Sequence, residues 1–178
     1  MGTGKTTLGR AVAATLGDGQ CVFVDLDHEV ERRAGTTVRR IFETRGEEYF
    51  RALESLCLDE LSRQACEDAS GRLWIVACGG GTPCHGDNMA RMNSMGLTVH
   101  LRTGRGRLIN RLILGRAQRP LLRGLGTPQE FDAFIARNLE ARAGAYGLAS
   151  TEFDTDALEN ESEIRDTVAR FLSMMGMN

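Results

Sequence analysis

Gly2-Thr3-Gly4-Lys5-Thr6-Thr7 stands at the head of the chain and fits the closing half of the pattern G-x-x-x-x-G-K-[ST]. Glycines let backbone N–H groups converge on phosphate oxygens, and the N-terminus of the following helix adds a favourable dipole. In this reading Gly2, Thr3, Gly4 and Thr7 form the cradle. Lys5 reaches the β and γ phosphates of ATP, and the Thr6 hydroxyl holds Mg2+. The first glycine of the pattern, and the strand that normally leads into such a loop, would fall ahead of Met1. The reading therefore predicts a short apolar strand upstream, ending in a glycine, and a sheet whose first strand is missing from this chain.

The loop's lysine is the only lysine among 22 basic residues; the other 21 are arginines. Coding bias accounts for most of that imbalance, but not for where the lysine survives. A compact ammonium on a flexible stem suits a tight phosphate cradle, where a planar guanidinium fork does not. The rest of the composition is that of a globular protein of the cytoplasm. With 178 residues, 42% hydrophobic, 26% charged and a net charge of −2, the chain is sized for one domain, 1–178. The slightly acidic balance predicts no nucleic-acid partner, and no apolar run is long enough to span a membrane. Five scattered cysteines fit a reducing compartment better than a disulfide framework. Cys78 and Cys84, which bracket GGGTP, read as incidental thiols more readily than as a metal pair.

Outward from the loop, a helix is expected over about 5–16, with Leu8, Val12 and Leu16 at helical spacing. Cys21 to Val24 reads as a buried parallel strand closing in Asp25-Leu26-Asp27. Helices are expected over about 28–33, 37–44 and 47–68, then a second buried strand over 73–77 ending in Cys78-Gly79-Gly80-Gly81. A helix at 86–95, a strand at 97–101 and a helix at 105–114 lead to an Arg/Gly-rich stretch, 115–126. Thr127-Pro128-Gln129-Glu130 carries the signature of a helix start, and that helix should reach about 143. An edge strand near 151–154 and a helix near 161–174 complete the chain. Strands alternating with helices imply an α/β fold: a parallel sheet flanked by helices on both faces.

Two readings fit Asp25-Leu26-Asp27. Strand alternation would aim both carboxylates at one site, one to help hold Mg2+ and the other to accept a substrate hydroxyl proton. Alternatively, the pair is a helix cap with a flanking charge. Gly79-Gly80-Gly81 marks a place where backbone approaches something closely, or a plain turn.

Taken in order, GTGKTT, DLD with ERRAG, GEEYFRALE, CGGGTP, RPLL and the E-x-R of LEARAGAY resemble the shikimate kinase family over nearly the whole chain. The resemblance implies a P-loop NTPase fold of the nucleoside-monophosphate-kinase-like type and a monomer. It implies phosphorylation of the 3-hydroxyl of shikimate by ATP with Mg2+, a step towards aromatic amino acids.

By position, Asp27 resembles the residue that binds substrate hydroxyls and serves as base, with Asp25 on the metal side. Arg51 resembles an arginine that grips the substrate carboxylate, oriented by Glu54, and Arg142 resembles the second such arginine. Gly80 offers its N–H to the substrate. Arg119 resembles the lid arginine over the transferring phosphate, within a lid at about 115–126. The segment at about 28–68 corresponds to the substrate-binding helices. Arg111 and residues 153–156 are candidates for holding adenine.

The chain departs from the family at Ala77-Cys78, where Ser or Thr is common, and at Gly144, where the family shows proline. The alternatives weighed beside this reading are a gluconate-type kinase and an inactive nucleotide-binding relic.

Overall fold

Gly4, in the left-handed region (φ 84°, ψ 17°), turns the chain into helix α1 (Lys5–Leu16). A Cβ at this position would also meet the Leu158 side chain, so the turn suits glycine twice over. The computed structural model describes residues 2–114, 122 and 124–177. Most of the expected lid, Arg119 included, lies outside those residues.

Beyond α1, strand β1 (Cys21–Asp25) runs straight into helix α2 (Leu26–Ala34). This corrects the strand-alternation reading of Asp25 and Asp27. Asp25 ends the strand and caps α2, its Oδ1 accepting from the Asp27 amide (3.2 Å), and Asp27 sits in the first helical turn. The two carboxylates are neighbours through capping geometry rather than through pleat.

Helix α3 (Val38–Glu67) is interrupted at Gly46 (φ 82°, ψ 176°), which divides it into the two segments that the sequence suggested. Strand β2 (Leu73–Ala77) leads through the glycines into a 3-10 turn, Thr82–Cys84. Then follow α4 (Asn88–Met95), β3 (Val99–Arg102), α5 (Arg105–Leu114), α6 (Pro128–Tyr146), β4 (Thr151–Asp154) and α7 (Glu161–Met174). The expected capping box is present on α6: Thr127 accepts from the Glu130 amide, and Glu130 accepts from the Thr127 amide.

Among the described residues the strands form two parallel pairs, β1 with β2 and β3 with β4. The Leu73 amide donates to the Gln20 carbonyl, so Leu73, Ile75 and Ala77 face β1, while Trp74 and Val76 point their backbone groups the other way. The Thr98 and Arg102 carbonyls accept from the Thr151 and Thr155 amides, so Val99 and Leu101 turn away from β4. Every residue of β2 and β3 lines a cavity of about 630 Å3.

Helices cover both sheet faces, as expected of an α/β fold. Leu8, Val12, Phe153, Leu158, Val168 and Phe171 form one apolar cluster with Ile75, Val99 and Leu101 packed against it. Leu26, Val30, Ile41, Phe50, Cys57 and Leu61 form a second, against Val24, Trp74 and Val76. A third joins α5 to α6 through Leu108, Leu112, Leu122, Phe131 and Ile135. No helix among the described residues is long and apolar enough to cross a membrane.

Candidate active site

The loop, the start of α2, the glycines after β2 and the middle of α3 meet at the ends of β1 and β2. Thr6, in the first turn of α1, donates from Oγ1 to Asp25 Oδ2 at 2.8 Å. A hydroxyl and a carboxylate this close are both hard oxygen donors, the kind that Mg2+ takes while keeping water and phosphate oxygens as its other ligands. The pair therefore fits the metal role that the sequence gave it.

Asp27 opens to solvent, but its surroundings strip enough water to raise its pKa above the ordinary carboxylate value. Desolvation is the main cause. The negative charges of Asp25 and Glu54 push the same way, and Lys5 pulls back. The carboxylate is thus more basic than a free aspartate and lies within the field of Lys5.

Arg51 is held from two sides. Its Nη1 donates to Glu54 Oε2 at 2.7 Å, and its Nη2 lies 3.2 Å from Glu47 Oε1. Glu54 is fully buried, and its other oxygen accepts from Thr82 Oγ1 at 2.6 Å. The Asn88 side chain, 1% exposed, donates to the Thr82 carbonyl (3.0 Å) and accepts from Ser55 Oγ (3.0 Å). A buried carboxylate needs such partners. This one ties the arginine of α3 to the glycine loop. A side chain at Gly81 would collide with the Arg51 guanidinium, and one at Gly79 would crowd Glu54 and Thr82.

Gly79, Gly80, Thr3, Lys5 and Arg142 all line the cavity between the strand pairs. The structure thus gathers Lys5, Thr6, Asp25, Asp27, Arg51 and the glycines around one end of the sheet, with Arg142 on the cavity wall. Arg111 meets the 153–156 segment: its Nη2 donates to the carbonyls of Thr155 (3.0 Å) and Asp156 (2.8 Å). Cys78, at the departure from the family pattern, is half-buried on the cavity wall. Burial pushes its thiol up to about 12, so it stays protonated. All five cysteines are free, and no group of three or more His, Cys, Asp or Glu side chains among the described residues is placed to hold a metal ion.

Sequence reasoning passed over Thr82, Asn88 and Tyr146. Both Thr82 and Tyr146 stood inside motifs already quoted, CGGGTP and LEARAGAY. Their hydroxyl partners lie 28 and 66 residues away, beyond what spacing can show.

A glycine-flanked loop at a helix N-terminus, a threonine–aspartate pair beside it and a carboxylate of raised basicity are the parts of a P-loop phosphotransferase. The family model described as "Shikimate kinase" matches residues 1–173, and this chain belongs to the shikimate kinase family. It is 40% identical to shikimate kinase of Parabacteroides distasonis over 93% of this chain and 90% of that protein. Identity to the Bacteroides fragilis enzyme is 38%, over all of this chain and 93% of the relative. The solved structure of shikimate kinase from Bacteroides thetaiotaomicron superposes with a TM-score of 0.87 at 38% identity, covering 99% of this chain and 94% of that one. That from Acinetobacter baumannii, in complex with shikimate, gives 0.77 at 31% identity, with 98% and 88% covered. The chain is thus an ATP-dependent kinase of shikimate, and the matches give no support to the gluconate-type or relic readings.

Proposed function

We propose that the 178 residues act as one domain, monomeric and cytoplasmic, with the reaction divided among the gathered side chains as follows. The amides of Gly2 to Thr7 cradle the nucleotide phosphates, and Lys5 spreads its charge over the β and γ groups. Thr6 and Asp25 hold Mg2+, which neutralises phosphate charge when bound. Arg51 and Arg142 clasp the shikimate carboxylate, and the Gly80 N–H and Asp27 fix the hydroxyls. Asp27 accepts the proton of the 3-hydroxyl as its oxygen bonds to the γ-phosphorus and the bond to the bridging oxygen breaks, releasing ADP. Arg119, in the lid outside the described residues, closes over the transferring phosphoryl group.

The observation that carries this account is the clustering of the Thr6–Asp25 pair, the basic Asp27 and the Glu54-held Arg51 at one end of the sheet. Steady-state kinetics test it. Lys5→Met abolishes turnover, while Arg51→Ala raises the KM for shikimate by about 10- to 100-fold and leaves the KM for ATP unchanged. An unchanged shikimate KM in Arg51→Ala would remove the carboxylate role from that residue.

A further inference from the structure

We propose that Tyr146 is a positioning residue for shikimate: its hydroxyl sets the orientation of the glycine loop from the far side of the cavity. The proposal rests on the reading that Gly80 and Arg142 meet the substrate.

Three consecutive glycines give the loop after β2 more backbone freedom than any other tripeptide. Its carbonyls show how that freedom is removed. The Gly79 carbonyl accepts from the Thr82 amide (3.1 Å) and the Gly81 carbonyl from the Cys84 amide (3.0 Å), both within the local turn. The middle carbonyl is held differently. Gly80 accepts from the Tyr146 hydroxyl at 2.7 Å, across 66 residues of sequence. The one peptide of the loop that a turn does not fix is therefore fixed by a side chain, and it adjoins the N–H assigned to the substrate.

Tyr146 is itself anchored. Its ring lies against the His100 imidazole with centroids 4.7 Å apart, and His100 Nδ1 is 3.3 Å from Glu152 Oε1 on β4. Gly80 follows β2, whereas His100 belongs to β3. Among the described residues no backbone pairing joins β2 to β3. The Tyr146 hydroxyl thus bridges the two strand pairs beside the loop whose N–H the proposed reading gives to the substrate. Arg142 precedes Tyr146 by four residues on α6, so both lie on one helix face and both line the cavity. One turn of α6 therefore carries a cation for the substrate and the latch of the loop opposite it.

Tyr146→Phe separates this role from packing, because it keeps the ring on His100 and deletes one hydrogen bond. The expected result is a rise in shikimate KM of about 2- to 12-fold, with the ATP KM within twofold and the thermal midpoint little changed. The amide of Gly81, which shares a peptide group with the Gly80 carbonyl, should shift upfield in a 15N–1H spectrum; this readout serves even if turnover is weak. An unaltered shikimate KM, an unmoved Gly81 amide, or an equal rise in both KM values overturns the proposal. Arg142→Ala, measured alongside, keeps the two readings apart. If it leaves the shikimate KM unchanged, the underlying site assignment fails; if it raises that KM while Tyr146→Phe does not, only the latch fails.

Discussion

At the scale of the residue, Asp27 combines two properties that pull against each other. Its neighbours Asp25 and Glu54, with the loss of water, raise its affinity for a proton, which is what a base at the acceptor hydroxyl requires. The same surroundings cost stability. The folded chain binds the proton more tightly than the unfolded chain, so stability declines as pH rises from the unfolded to the raised folded pKa, and the ionised form stays costly above it. Asp27→Asn should therefore lower kcat by about 10²- to 10⁴-fold while leaving the thermal midpoint at neutral pH the same or higher. In the unmodified chain, turnover should fall with acid through a pKa above the ordinary carboxylate value, and that limb should vanish in Asp27→Asn. Calorimetry and a pH–rate profile check both arms. The sequence pointed to Asp27 through DLD and to Arg51 through FR. It also gave Glu54 as the group that orients Arg51, but not that Thr82 and Asn88 hold this carboxylate from the other side, since only the fold brings α3 against the glycine turn.

At the scale of the element, boundaries were legible wherever a local signal set them. Thr127-Pro128-Gln129-Glu130 announced its capping box, α1 runs where the apolar spacing put it, and α7 spans the expected 161–174. Asp25-Leu26-Asp27 left two geometries open because a strand end and a helix cap favour the same residue types, and the cap is the one the chain adopts. Gly46 shows how an element break serves the site. Its φ of 82° with ψ of 176° belongs to a region that is nearly closed to side chains, and it starts the helical segment bearing Arg51 and Glu54 afresh. Nothing lies within 4 Å of a Cβ built there, so conformation rather than space is what excludes other residues. Gly46→Ala should cost about 1–3 kcal/mol, a fall in thermal midpoint of about 2–12 °C for a chain of this size, as read by a melting curve.

At the scale of the molecule, the sheet is two parallel pairs facing each other across the cavity, and α1 and α7 pack on both through one apolar cluster. The parallel α/β plan was legible from alternating strands and helices; which strands pair with which was not, because strand order depends on pairings that no local pattern encodes. The division has a measurable signature. Backbone N–H groups of Trp74, Val76, Val99 and Leu101 turn from their partners, while those of Ile75 and His100 face β1 and β4 within their own pairs. In hydrogen exchange the first four should exchange markedly faster than the other two; equal protection would mean that the unpaired edges are covered. The loop at the head of the chain has a further consequence, in reactivity. Lys5 is the only side-chain amine in the 178 residues, so an acylating reagent that modifies primary amines has one lysine to find here, in the loop proposed to hold phosphate. On the proposed assignment, its labelling should fall as nucleotide is added, which makes it a gauge of occupancy.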